Sequence, residues 1–457
     1  MDLEIITKEG TQLGAEYVEA RYEDLTTTVV EVKDRNVSSL GINRRKGLGI
    51  RVLAKGSWGF ASTSKVERWK EALEKACKLA LAGSRLRREK INLKEVRTVK
   101  DHVRSKMKIK PIDISLEEKV KSVLNLEDVI RGLESSVKAV SIRYSDSWGE
   151  KVFINSEGTS IKWEVGHVWK YVWVTGKREN VTASVRDEIG SVDNGWELFE
   201  KETNETVAAR IVKKLRAQFE GVTPKRGEFP IVAGPVVVGV IAHEALGHLA
   251  EADLTPNSPF IAMLGKQVAP EYVSMSDYGQ IEGGFGNGFY DDEGVPVRKV
   301  EIIKNGILKE LMVDREKAAK LNIEPNGHAR AESYRVPPLI RMRNTVFERG
   351  DYEVEELFEG IKFGYYCVDF RGGQAQLNSA FQVGIQECYE IVNGQIGKPV
   401  RDMSISGIAI EALKKITAIA KDFGLENGRC GKGQMAFVSS GGPHIRFDSG
   451  VIVGGRE

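Results

Sequence analysis

Two histidines five residues apart, the first followed directly by a glutamate, constrain this chain more than any other feature. The stretch is HEALGHLAEAD, His243 to Asp253, and it follows the apolar run IVAGPVVVGVIA. Pro235 is well placed to open a helix that carries it, because proline suits the first helical turn. The common zinc-protease signature, H-E-x-x-H, sets both imidazoles on one helical face with the glutamate as base. Here the second histidine comes one residue late. An α-helix turns about 100° per residue, so residues four apart lie about 40° out of line while residues five apart differ by about 140°. Two imidazoles so far apart cannot meet one ion. A π-type turn, with about five residues per hydrogen-bonded ring, realigns them. The spacing therefore predicts a bulged helix, and Gly247 is the residue expected to tolerate the distortion.

A catalytic zinc takes three protein ligands and keeps a fourth position open. The residues leave the third ligand open among Glu251, Asp253, His328, His444 and Cys430. Glu251 lies three residues beyond His248, within helical reach. Cys430 sits in GRCGKGQ, where glycines on both sides suit a tight, exposed turn and Arg429 and Lys432 would favour the thiolate. Cys77 falls on the apolar face of a helical stretch, and Cys367 and Cys388 lie in strand-like runs, so these three are expected to pack. His102 is read as a surface residue and His167 as a packed sheet residue.

The first third of the chain mixes strands such as TTTVVEVKD and WGFAST with helical spacing from Lys65 to Leu86. Further helices are predicted from Ser115 to Ser136 and from Glu200 to Glu220, with strands between them. The proline- and glycine-containing segment GVTPKRGEFP marks a domain boundary. Beyond it the pattern is mostly β, with Asn305-Gly306 and Asn393-Gly394 each placed to turn a hairpin. The fold class expected is α+β: an N-terminal α/β domain over 1–221 and a β-rich domain over 222–457 bearing the metal-binding helix.

Lys+Arg 67 against Asp+Glu 65 gives a net charge of +2, without the basic excess of a dedicated nucleic-acid binder. The basic stretch Arg85 to Lys110 has no interleaved aromatic residues to stack on bases and is read as a solvated linker. The start, MDLEIITKEG, does not have the character of a signal peptide, and the longest apolar run is too short to span a bilayer. A cytoplasmic location without membrane or nucleic-acid partners is expected. GGFGNGFYDDEG lacks the features of a phosphate or calcium loop and is read as a connection bordering a cleft. The arginines of RAESYRVPPLIRMRN, at positions 330, 335, 341 and 343, either hold peptide or brace a loop.

HEALGHLAEAD taken together with GRCGKGQ resembles the TldD/PmbA family of metallopeptidases, also called modulators of DNA gyrase. The similarity extends through GAEYVEARYED and GLGIRVLAKGSWGFAST to DDEGVPVRKVEIIKNGILKELMVDR and NGHARAESYRVPPLIRMRNT. The resemblance implies that His243, His248 and Cys430 hold one zinc ion per chain and that Glu244 is the general base. It implies the catalytic TldD type, since the PmbA type lacks the motif, and a peptide substrate that is short or unfolded. It further implies a dimer, formed with itself or with a PmbA-type paralogue. The alternative expectation is a non-catalytic binding or scaffold subunit of such a complex.

Overall fold

The computed structural model describes residues 3–254, 259–376 and 378–455. Its fold is α+β. A seven-stranded sheet occupies the N-terminal half in the order Ser57–Thr63, Asn36–Ala54, Tyr17–Lys33, Val137–Asn155, Ser160–Arg178. Val181–Ser191 and Lys100–Val103 then both pair with Ser160–Arg178. The central strands are unusually long, 17 to 19 residues. Period-two burial along them, as in Tyr17–Lys33, gives one apolar face for helices to cover. Two helical layers share that face. Glu4–Gln12 and Trp69–Ser84 cover one end through Ile6, Leu73 and Ala76, and Leu116–Leu133 and Asn204–Glu220 cover the other through Leu126, Ile130 and Ile211. The second pair is capped by Ser115 and Thr203, whose side chains accept backbone N–H bonds from Glu118 and Thr206.

The basic segment is only in part the solvated linker its composition predicts. Ile91 and Met107 are buried, and Lys100–Val103 runs parallel to residues 160–163. Scattered apolar residues anchor a chain that charge keeps wet elsewhere.

In the C-terminal half, one sheet of six strands ends in the hairpin Gly424–Lys432 and Gln434–Gly442, and another of nine is centred on Phe363–Ala375 and Ala380–Val392. The helix Pro235–Val240 and its continuation Ile241–Gly247 lie between these sheets, in the largest apolar core. Both Asn-Gly turns form with positive φ at each residue, 49° and 75° at Asn305-Gly306 and 49° and 76° at Asn393-Gly394.

Ion pairs join the halves. Buried Arg51 lies 2.9 Å from Glu19 and 2.5 Å from Glu293, and buried Arg315 makes a bidentate pair with the exposed Glu157 at 2.8 Å. Where the halves part they leave a cavity of about 560 Å³, walled by Trp163, His167, Phe289, Tyr290, Arg429 and Phe437. The glycine-rich connection 283–294 borders it, as its sequence predicts.

Candidate metal centre

Residues Ile241–Gly247 form a π-helix, the distortion that the five-residue spacing requires. The wider turn brings the imidazole centroids of His243 and His248 to 5.1 Å, edge to face. The role expected of Gly247 is corrected. It has ordinary helical angles, φ −61° and ψ −45°, so the bulge does not need its freedom. It is needed for space: an added Cβ would lie 2.2 Å from Met342 Sδ and 3.0 Å from the Ala242 carbonyl. Gly247→Ala is therefore expected to destabilise the fold by about 1–3 kcal/mol through overpacking, read from denaturant unfolding.

Cys430 reaches the histidines from across the core. His243, His248 and Cys430 each offer a ligand atom, and these atoms lie within 4.8 Å of one another. Sγ stands 3.4 Å from His248 Nε2. The expected exposed turn is corrected as well. Cys430 lies in the strand Gly424–Lys432, opposite Ala436, and is buried; the turn comes at Gly433, with φ 69°. Strand alternation puts Arg429 on the opposite face and Lys432 on the same one. Arg429 points to the other face and stacks over Trp169 at 3.8 Å, while Lys432 reaches Asp253 at 2.7 Å and Glu251 at 3.0 Å.

The thiolate is favoured by other groups than those expected. Burial pushes the Cys430 thiol up, but the hydrogen bonds and charge of His243 and His248 outweigh it and bring the thiol down to about 5. Burial likewise pushes His248 down, and Cys430 and Glu251 together raise it to about 10. Without an ion the pair is thus thiolate and imidazolium at neutral pH. A cation taking His248 Nε2 must displace its proton. Zinc uptake at pH 7 is therefore expected to release about one proton per chain, measurable by calorimetry in buffers of different ionisation enthalpy.

Glu251, a candidate ligand by its spacing, faces the other side of the ring. Its Oε2 lies 2.8 Å from His248 Nδ1, and its Oε1 accepts the Met342 N–H at 3.0 Å. A carboxylate so placed orients the imidazole and leaves Nε2 for the ion. Only its i+3 spacing from His248 was visible in the sequence. Glu251→Gln is expected to lower zinc affinity by roughly 10–100-fold, read by competition with a chelating dye.

The remaining candidates lie elsewhere. His328 is buried between Asp277 and Asn326, at 3.0 Å from each, and His444 bridges Asp422 at 2.7 Å and Tyr366 at 2.8 Å. His167 packs on Phe437 at 4.5 Å and contacts Ser147 Oγ at 2.7 Å. Asp253 holds Lys432. Arg330, Arg341 and Arg343 bond backbone carbonyls, which favours the bracing role; Arg341 reaches the Cys430 carbonyl at 2.7 Å and so fixes the strand carrying the thiol. Cys77 packs in the core beneath Trp69–Ser84, and Cys367 and Cys388 are buried opposite each other.

The donor set suits zinc, being two imidazoles and a thiolate at short range. His243 Nδ1 is buried without a hydrogen-bond partner among the described residues, and such an orphan is costly unless something else satisfies it. Glu244, between the ligand candidates on the π turn, is half-buried.

Comparison with known proteins places three domains described for PmbA/TldA metallopeptidases on the chain: domain 1 over residues 18–82, the central domain over 109–219 and the C-terminal domain over 226–454. A zinc metalloprotease TldD homolog of Saccharolobus solfataricus is 37% identical, with 98% of each chain covered. A metalloprotease of Methanocaldococcus jannaschii is 34% identical over 94% of this chain and 96% of its own. Among solved structures, TldE from Thermococcus kodakarensis superposes with a TM-score of 0.78 at 21% identity, covering 99% of this chain and all of its own (100%). A protein from Thermotoga maritima described as a modulator of a DNA gyrase gives 0.80 at 19%, with 99% of each covered. These two likenesses concern the fold.

Proposed function

The chain belongs to the PmbA/TldA metallopeptidase family, and we propose from that premise that it is a zinc-dependent peptidase acting on short or unfolded peptides. In this reading His243, His248 and Cys430 hold one ion per chain and Glu244 is the general base. The observation that carries it is the convergence of those three side chains from a π-helix and a strand 182 residues apart. When bound, the ion supplies Lewis acidity, polarising the scissile carbonyl and lowering the pKa of the attacking water.

The chain's own groups do the rest. Glu244 accepts the proton of the attacking water and returns it to the leaving amine. Glu251 holds His248 in the tautomer that offers Nε2, and Lys432, itself paired with Asp253, holds Glu251. Thiolate ligation donates more charge than a third imidazole and makes the ion a weaker acid, which suits slow trimming of accessible peptides. Residues 222–457 carry the chemistry in this reading, and residues of both halves wall the cavity of about 560 Å³ between them. A second chain, a copy or a PmbA-type paralogue, completes the particle. No helix among the described residues is long and apolar enough to cross a membrane; a cytoplasmic location is part of the proposal.

The test is elemental analysis of the purified chain before and after chelation, paired with cleavage of unstructured peptides. Zinc near one equivalent, activity lost on chelation and activity restored by zinc are expected. Peptide cleavage undiminished in the zinc-free chain would overturn the reading. Zinc without cleavage of any peptide would favour the non-catalytic subunit.

A further inference from the structure

We propose that Cys367 and Cys388 are a disulfide site, left as thiols in reducing surroundings and closed by oxidised glutathione when the surroundings turn oxidising. Neither residue has a place in the metal centre. They stand directly opposite each other on Phe363–Ala375 and Ala380–Val392, neighbouring strands of the nine-stranded sheet. Both are fully buried, with their Sγ atoms 4.0 Å apart.

The backbone makes that distance closable. The Cys367 carbonyl accepts the Gly234 N–H and the Cys388 carbonyl accepts the Val400 N–H, each at 2.8 Å. Both carbonyls therefore face outward, which makes the two cysteines a non-hydrogen-bonded pair. Such pairs bring Cα atoms to about 4.5 Å and side chains closest together. A disulfide takes Cα separations of about 4.4–6.8 Å, so rotation about χ1 with a small strand shift can bring the sulfurs to bonding distance. A register shift directly after Cys367 leaves Val368 outside the ladder, and the bend at such a bulge eases the approach. Ile231–Ala233 pairs with Tyr365–Cys367 and runs through Gly234 into the helix that carries His243 and His248. The bond thus fastens the strand from which that helix starts.

Other roles fit two such thiols less well. A metal needs further ligands, and among the described residues the one group able to hold an ion is His243, His248 and Cys430. A thiol catalyst needs access and a thiolate. Here there is no exposure, and burial, with Cys367 beside it, pushes the Cys388 thiol well up. Closure is thiol–disulfide exchange. One cysteine thiolate attacks a glutathione sulfur and releases one glutathione thiolate, and the second cysteine displaces the other glutathione from the mixed disulfide. The cysteines give up two electrons and two protons, and one oxidised glutathione becomes two reduced ones. The first attack needs an ionised thiol within reach of glutathione. Closure is therefore fast while the two strands are still coming together and slow once the core has shut.

Peptide mapping tests this on the chain itself. Arg371 lies between the two cysteines, so trypsin separates them onto Phe363–Arg371 and Gly372–Arg401. The chain refolded from guanidinium with oxidised glutathione, and the folded chain incubated with it, are each digested after free thiols are blocked. The two peptides are expected joined, two hydrogens lighter than their sum and separable by reduction, and far sooner in the refolded sample. The joined species should persist in Cys77→Ala and vanish in Cys388→Ser. At the guanidinium midpoint of the reduced chain, the oxidised chain should show a folded-to-unfolded ratio at least about tenfold higher. Absence of the joined peptides from both samples, joining of either cysteine to Cys77 or Cys430 in their place, or an oxidised chain no more resistant to guanidinium would each overturn the proposal.

Discussion

Glu244→Gln is expected to lower peptide cleavage by at least about a hundredfold while zinc content and fold stay unchanged. The amide keeps the shape of the carboxylate and removes its ability to take a proton from the attacking water. General-base contributions are worth roughly two to four orders of magnitude. Glu244 is half-buried on the π turn, and the convergence of His243, His248 and Cys430 does not involve it. Retention of metal therefore separates a base from a ligand. If Glu244→Gln lost zinc, Glu244 would be a ligand and the assignment of the helix would fall. If the variant kept full turnover of a peptide the parent cleaves, the base would have to be sought elsewhere.

Cys430→Ala is expected to reduce bound zinc from one equivalent to near none after gel filtration, and His243→Ala and His248→Ala should do the same. Each substitution leaves two ligands, fewer than the three a catalytic zinc site takes. The loss should exceed the roughly 10–100-fold fall in affinity expected for Glu251→Gln, which removes only the partner of a ligand. Cys77→Ala is the control: that thiol packs in the core beneath Trp69–Ser84, and its loss should leave zinc content unchanged. A full equivalent of zinc on Cys430→Ala would exclude the thiolate and return attention to Glu251, despite its bond to the far side of the His248 ring.

The sequence was most legible where the structure is local. Hydrophobic period and caps placed Trp69–Ser84, Leu116–Leu133 and Asn204–Glu220 close to where they are, because a helix answers to residues three and four apart. Both Asn-Gly hairpins follow from the positive φ that asparagine and glycine tolerate. The basic stretch was misjudged because two buried residues, Ile91 and Met107, outweigh a composition that is charged on average.

The candidate metal centre divides along the same line. That His243 and His248 cannot share an ion on a regular α-helix is a matter of rotation per residue, so the sequence by itself determined the π turn. From the residues alone the third ligand stayed open among five candidates, and only resemblance singled out Cys430. What makes the thiol a thiolate, and what frees His248 Nε2, was decided by tertiary structure. Strand alternation turned Arg429 away and Lys432 toward Glu251, and the core closed the sulfur against two imidazoles. Gly247 shows the same division at one atom. Sequence reasoning assigned it flexibility, but its φ is ordinary, and the constraint comes from Met342, 95 residues away, packed where a Cβ would be. Steric exclusion by a distant side chain has no local signature, so only the folded chain could reveal it.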